Sequence, residues 1–380
     1  MSRPYRIVCV VAARPNLMKM APLLHAFQPP ESQVETILVH TGQHYDADMD
    51  AQFFGALNLP APDFRLEVGS GSHAVQTAEV MRRFEPILDQ LTPTAVLVVG
   101  DVNSTLACAL AAAKKNIPVL HVEAGLRSFD RSMPEEINRV LTDQISDLLF
   151  TSEASGTSNL LREGIPPQRI HFVGNVMIDT LLQQLPQAPT AASVLRRMHL
   201  AGFIGEGEAY ALLTLHRPAN VDDPLRLRAL MTAMVKLSGD LPVLFPLHPR
   251  TRNMLKHYDL GGLLDTPRLA CLAPLSYLDM LGLMKHACMV LTDSGGVQEE
   301  TTVLRVPCLT LRDNTERPAT VNEGSNAIAG HDPSVILALC RDILRYGGKS
   351  GRIPQYWDGH AAERVAAATS TWLQARRERR

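Results

Sequence analysis

No apolar run in this 380-residue chain reaches the ~20 residues that a membrane-spanning helix needs. The opening stretch MSRPYRIVCVVAARP breaks too soon for a signal peptide, so a cytoplasmic location is expected. Charge of one sign is also missing: Lys+Arg 37 against Asp+Glu 39 leave a formal net charge of -2. That balance offers no global field to nucleic acid or an anionic membrane, so any anion must be held by local geometry. The six cysteines, Cys9, Cys108, Cys271, Cys288, Cys308 and Cys340, show no paired spacing and mostly sit inside apolar runs. They read as small buried hydrophobes, not as bridges or ligands. Metal motifs are absent too, with no H-E-x-x-H and no C-x-x-C. His121-Val-Glu123 has the H-x-E form of zinc deaminases, but Pro307-Cys308 lacks the second cysteine of the partner motif, so no metal is expected. Glycine is missing from the first strand-to-helix turn, AARPNLMK, where a dinucleotide fingerprint belongs. The G-x-G-x-x-A match at Gly69 to Ala74 falls elsewhere and reads as a turn capped by Ser72 or a flap, so no NAD and no other cofactor is expected.

What the chain does contain is an ordinary globular balance, 46% hydrophobic and 20% charged, at a length that suits two domains. Short β-branched runs alternate with helical stretches: RIVCVVAAR, VETILVHTG, AVLVVGD, PVLHVEAG, DLLFTSE and IHFVGN. The series pauses at LLQQLPQAPTAASVLRRM and resumes with YALLTLHR, PVLFPLHP, RLACLAP, CMVLTDSGG and VPCLTLRD. Such alternation predicts an α/β protein of two doubly wound parallel-sheet domains, 1–172 and 173–358, facing a central cleft. The basic helical stretch 359–380 is expected to pack back on the first domain.

Ligands of open parallel sheets bind beyond the carboxyl ends of the strands. Those ends here are polar: Arg14, Gly42-Gln43-His44, Asp101 and Glu123 in the first half, then His216-Arg217, His248-Pro249-Arg250, Asp293 to Gly296 and Arg312-Asp313. In LTDSGGVQEE a strand ends, Ser294-Gly295-Gly296 turn and a helix starts at once, which exposes backbone N–H groups and a helix N-terminus to a phosphate. The plainer reading is a tight turn with Ser294 as N-cap. Glu300, one turn further in, suits a ribose diol. Asp101, Glu123 and Glu135 form an acidic set able to divide acid and base roles. Against this stand an N-cap role for Asp101 and a plain i,i+4 helix pair for Glu135 and Arg139.

Read in order, A-R-P-x-x-x-K-x-A-P from Arg14, H-T-G-Q-H from His40, G-D-V-N-S-T from Gly100, H-V-E-A-G-L-R from His121, M-P-E-E-I-N-R from Met133, L-H-R from Leu215, T-D-S-G-G-V-Q-E-E from Thr292 and R-D-N-T-E-R-P from Arg312 resemble the non-hydrolysing UDP-N-acetylglucosamine 2-epimerases. The match runs along nearly the whole chain. The resemblance implies the two-Rossmann-domain, GT-B-like architecture, UDP held mainly by the second domain, and a homodimer. It also implies interconversion of UDP-GlcNAc and UDP-ManNAc through a 2-acetamidoglucal. Asp101, Glu123 and Glu135 then match the catalytic acids, and His216 the histidine near the diphosphate. Arg14, Lys19, Ser294, Gly295, Gly296 and Arg317 are expected at the diphosphate or in the closed state, Glu300 at the ribose, and Gln43, Arg139 and His248 among the substrate-binding residues. Pro218-Ala219-Asn220 after His216-Arg217, and Ala319 after E-R-P, depart from many members. The H-T-G-Q-H-Y-D form is similar to relatives that epimerise UDP-2,3-diacetamido-glucuronate. The alternatives are that decorated substrate, a hydrolysing version that releases ManNAc, a GT-B glycosyltransferase, and a silent sugar-nucleotide sensor.

Overall fold

The computed structural model describes residues 5–28, 33–42, 54–55 and 57–378. The chain divides into two compact units, Met1–Thr180 with Gln355–Arg380, and Leu181–Pro354. The first unit is built on β1 (Tyr5–Val11), β2 (Val34–His40), β3 (Phe64–Arg65), β4 (Ala95–Val99), β5 (Val119–Ala124), β6 (Leu148–Thr151) and β7 (Ile170–Phe172). Every pairing among them is parallel and the spatial order is β3-β2-β1-β4-β5-β6-β7. Helices α1 (Arg14–Phe27), α2 (His73–Leu91), α3 (Asn103–Lys114), α4 (Pro134–Ile145) and α5 (Ala154–Arg162) lie between them, and α6 (Val176–Gln184) follows β7. Central strands β4 and β5 are buried along their whole length; β4 accordingly reads as an unbroken apolar run, whereas β5 carries the buried polar residues His121 and Glu123. The order reverses between β1 and β4, and such a switch point opens a crevice at the carboxyl ends of those two strands.

The second unit repeats the scheme with β8 (Ala211–Thr214), β9 (Val243–Pro246), β10 (Leu269–Leu272), β11 (Met289–Thr292), β12 (Cys308–Thr310) and β13 (Asn326–Ile328), all parallel, in the order β10-β9-β8-β11-β12-β13. Its helices are α7 (Ala191–Arg197), α8 (Pro218–Val221), α9 (Pro224–Asp240), α10 (Pro249–His257), α11 (Tyr277–His286), α12 (Gly295–Leu304), α13 (Pro318–Asn322) and α14 (Pro333–Tyr346). Proline stands in the first turn of five of them, α8, α9, α10, α13 and α14, where its missing N–H costs nothing. The switch point here lies between β8 and β11.

The final helix, α15 (Ala361–Glu378), belongs to the first unit and packs on α1. Asp179 of α6 holds its start, accepting from Ala361 N–H at 3.1 Å and Ala362 N–H at 2.7 Å. Burial pushes the Asp179 carboxyl above its usual range, while these two bonds pull the other way. Thr180 donates to the Met18 carbonyl at 2.6 Å, and the buried Trp357 indole donates to Ser152 O at 2.9 Å. These contacts keep the start of α6 with the first unit, so the division falls inside that helix and later than the 172/173 boundary read from the sequence. Among the described residues no helix is long and apolar enough to cross a membrane. All six cysteines are free; Cys9, Cys108, Cys308 and Cys340 are buried, whereas Cys271 is exposed.

One close approach fixes the end of β5. Gly125 has φ 78°, and a Cβ placed on it would stand 2.3 Å from the Gly156 carbonyl oxygen. Gly125→Ala is expected to lower the free energy of unfolding by about 3 kcal/mol or more, since left-handed strain and a backbone clash add. Chemical denaturation checks this, and a loss below about 0.5 kcal/mol would contradict the packing described.

Candidate active site

In the first unit, the switch point gathers groups from α1, β4 and β5. Lys19, one turn into α1, places its Nζ 2.6 Å from Glu123 Oε2, and both side chains are buried. Glu123 has φ 71° and interrupts the β5–β6 register between Val122 and Ala124. A bulge at a non-glycine left-handed residue re-aims a side chain at a cost that surrounding contacts must cover. Gly100, immediately after β4, is also left-handed; a Cβ there would lie 3.1 Å from Lys19 Nζ and 3.9 Å from Glu123 Oε1. Asn16, a residue not singled out from the sequence although it stands in the Arg14 motif, donates to the Val99 carbonyl at 2.9 Å and lines the same spot.

Asp101 follows directly. It does not cap α3, whose N-cap is Val102 without a side-chain bond. Its Oδ2 instead takes Arg139 at 2.8 Å. Arg139 is buried and divides its guanidinium between Asp101 and Glu136, the latter at 2.8 Å. Asn138 adds a bond to the Asp101 carbonyl at 2.9 Å. Glu135 and Glu136 share the first turn of α4, but with different surroundings. Glu136 is buried and accepts from Ser128 N–H at 2.8 Å and Phe129 N–H at 3.1 Å, which makes it structural, while Glu135 is half-buried. In the Gly69–Ala74 stretch Ser72 caps α2, accepting from Val75 N–H. The Arg14 backbone begins α1; Gln43 lies outside the described residues.

In the second unit, the ends of β8 and β11 meet at Asp293, which is fully buried. Its carboxylate accepts from His216 Nδ1 at 2.9 Å, His216 N–H at 3.1 Å, Arg217 N–H at 2.9 Å and Asn220 Nδ2 at 3.1 Å. Burial alone would raise its pKa, but the bonds from His216 and Arg217 prevail and hold it below the usual carboxylate range. Because His216 donates through Nδ1, its tautomer and ring plane are set, as a working imidazole requires. His248 stands 5.5 Å away between ring centroids and caps α10 by accepting from Arg250 N–H at 3.2 Å.

The Ser294-Gly295-Gly296 turn leads straight into α12. Ser294 is its N-cap residue but makes no side-chain capping bond, so the plain capping role does not account for it. Beneath the turn, Arg317 pairs with Glu299 at 2.7 Å, Arg312 with Glu316 at 2.8 Å and Arg217 with Glu316 at 3.2 Å. These three guanidiniums are held rigidly by two buried carboxylates that the sequence did not single out. Glu300 is buried and accepts from Tyr277 Oη at 2.9 Å. Backbone N–H dipoles with fixed guanidiniums behind them can hold a phosphate, and the Glu300 carboxylate can accept from a diol.

His248 makes the site sensitive to pH. Partial cover of its ring, then repulsion from His216, put its pKa below the ordinary 6.5, with Asp293 opposing. A lowered histidine favours the neutral folded form, so its contribution to stability is complete above about pH 6.5 and is lost as pH falls through the lowered value. Asparagine caps helices and does not titrate. His248→Asn is therefore expected to flatten the fall in melting temperature between neutral pH and the acid range, as read by calorimetry; identical slopes would contradict this.

Three comparisons bear on this arrangement. A family model described as UDP-N-acetylglucosamine 2-epimerase matches residues 29–370. A UDP-N-acetylglucosamine 2-epimerase of Methanococcus maripaludis is 43% identical over 344 residues, 90% of this chain and 92% of that protein. A UDP-2,3-diacetamido-2,3-dideoxy-D-glucuronate 2-epimerase of Pseudomonas aeruginosa is 40% identical, covering 95% of this chain and 98% of its own. Among solved structures, the Methanocaldococcus jannaschii UDP-GlcNAc 2-epimerase in complex with UDP-GlcNAc and UDP superposes with a TM-score of 0.87 at 40% identity, over 96% of this chain and 99% of that one.

Proposed function

Because this chain belongs to the UDP-N-acetylglucosamine 2-epimerase family, we propose that it interconverts UDP-GlcNAc and UDP-ManNAc by elimination and re-addition of UDP. A carboxylate removes the C2 proton, the C–H electron pair becomes the C1=C2 bond, and the C1–O pair leaves on the β-phosphate oxygen. A proton then returns to the opposite face of C2 and one of the equivalent terminal β-phosphate oxygens of the held UDP adds to C1. Positive charge at the anomeric centre is met by carboxylates, and negative charge on the diphosphate by N–H dipoles.

One observation supports this most: Asp101 and Glu123 stand at the carboxyl ends of the paired strands β4 and β5, each with a buried cation, Arg139 or Lys19, against it. In this reading Asp101, Glu123 and Glu135 share the roles of base, reprotonating acid and stabiliser. His216 assists departure of the diphosphate, with Arg14, Lys19, Gln43, His248 and Arg317 supporting its binding. Ser294, Gly295 and Gly296 receive the diphosphate and Glu300 the ribose. Arg139 acts through Asp101. The proposal places the enzyme in the cytoplasm.

Turnover in D2O tests the reaction. Deuterium at C2 of the recovered UDP-sugars is expected, with Glu123→Gln lowering kcat by ~10²–10⁴-fold while UDP affinity holds. Recovered sugars free of deuterium would overturn the elimination. The similarity to the Pseudomonas enzyme, close to that of the Methanococcus one, favours a second reading in which the substrate carries a 3-acetamido group and a uronate. Rates on the two UDP-sugars side by side decide between them.

The proposal extends to a homodimer. Phe129, Ile137 and Leu141 are 71%, 43% and 47% exposed, an apolar surface on and beside α4 that its own chain leaves uncovered. Light scattering is expected to give twice the chain mass, and Ile137→Glu with Leu141→Glu the mass of one chain. A single-chain mass for the parent would contradict it.

A further inference from the structure

Beneath the acids of the first unit lies a buried charged network that the proposed chemistry does not use. His121, on β5 two residues before Glu123, has no exposed surface and meets an acceptor on each side. Nε2 donates to the Gly100 carbonyl at 2.9 Å and Nδ1 to Asp143 Oδ1 at 2.7 Å. Asp143 is equally buried and stands one turn beyond Arg139 in α4. Its second oxygen accepts from Gly125 N–H at 3.1 Å and from Arg127 at 2.7 Å. Arg127 also binds Glu163 at 2.6 Å. Burial works against the guanidinium charge, but these two carboxylates more than restore it.

The bonds land on the backbone that carries the acids. Gly100 precedes Asp101, and Gly125 follows Glu123 by two residues, so each arm of the pair ties down one acid-bearing turn. Those turns contain three left-handed residues, Gly100 at φ 68°, Glu123 at 71° and Gly125 at 78°, which tertiary contacts must enforce. One helix face does both jobs: Arg139 of α4 holds the Asp101 side chain, and Asp143 holds His121 and the Gly125 backbone. We propose that His121 and Asp143 are positioning residues of the 2-epimerase reaction. They keep the Gly100–Asp101 and Glu123–Gly125 turns in fixed relation so that two carboxylates address two faces of one carbon. This rests on the epimerase reading, and neither residue touches substrate.

Asp143→Asn is isosteric and removes the charge on which His121, Gly125 and Arg127 converge, His121→Phe removes both ring donors, and His121→Gln keeps one. On the UDP-sugar that the parent turns over, kcat is expected to fall roughly 10²-fold in D143N and H121F, with KM within about threefold, because misplacement costs rate before affinity. The acid limb of the kcat–pH profile is expected to move and H121Q to recover part of the rate, with the variants folded at the assay temperature although loss of a buried partner lowers their melting temperatures. A folded D143N with the parent's kcat and profile would overturn the proposal. Parallel losses in kcat, KM and melting temperature at an unchanged profile would do so too, since a merely structural role gives that result. A parent that turns over neither UDP-sugar would overturn the epimerase reading itself and this proposal with it, so the parent assay separates the two failures.

Discussion

The carboxyl edge of the first sheet depends on a buried ion pair, Lys19 with Glu123. Burying a carboxylate is costly unless it is paired, and removing one partner of such a pair typically costs about 3–5 kcal/mol. The pair also explains the backbone around it. Glu123 occupies a left-handed conformation inside a strand, an arrangement that persists only when neighbours over-determine it. Lys19 supplies one constraint, and the close approach of Gly125 to Gly156 supplies another. The strained bulge is the means by which a strand residue, whose side chain would otherwise alternate into the sheet faces, is turned toward the switch point.

The two units use opposite electrostatics. In the first, carboxylates stand forward and cations are packed behind them: Lys19 behind Glu123, Arg139 behind Asp101. In the second, N–H dipoles and an imidazole stand forward with carboxylates behind, Asp293 under His216, and Glu299 and Glu316 under the α12 turn. Each of the two surfaces is kept from collapsing by its buried counter-charges.

Much of this was legible in the sequence because the controlling pattern is local. Eleven of the strands are legible as short, largely apolar runs, and of the polar residues that follow them Asp101, His216 and Asp293 stand at the switch points. Two strands gave no such signal: β3 is only Phe64–Arg65, and β13, Asn326–Ile328, lies at an edge with one β-branched residue. The partners of the functional groups were less readable, since they come from distant segments. Arg139 reads from spacing as half of a helix pair with Glu135, and nothing in the sequence signals that its guanidinium also crosses to Asp101, 38 residues away. His121 looked like half of a metal motif, and its partner, Asp143, stands 22 residues on in α4. Ser294 looked like a cap, but its hydroxyl makes no capping bond. Only tertiary structure decides such pairings, because the sequence names the charged groups without saying which faces which.

The most direct test of the account is positional isotope exchange with UDP-GlcNAc carrying oxygen-18 in the bridge between C1 and the β-phosphorus. Cleavage of the C1–O bond frees that oxygen to exchange places with its nonbridging neighbours before UDP adds back. The account predicts label scrambled into the nonbridging positions of recovered UDP-GlcNAc at a rate comparable to epimerisation. Epimerisation with the label still confined to the bridge would contradict it.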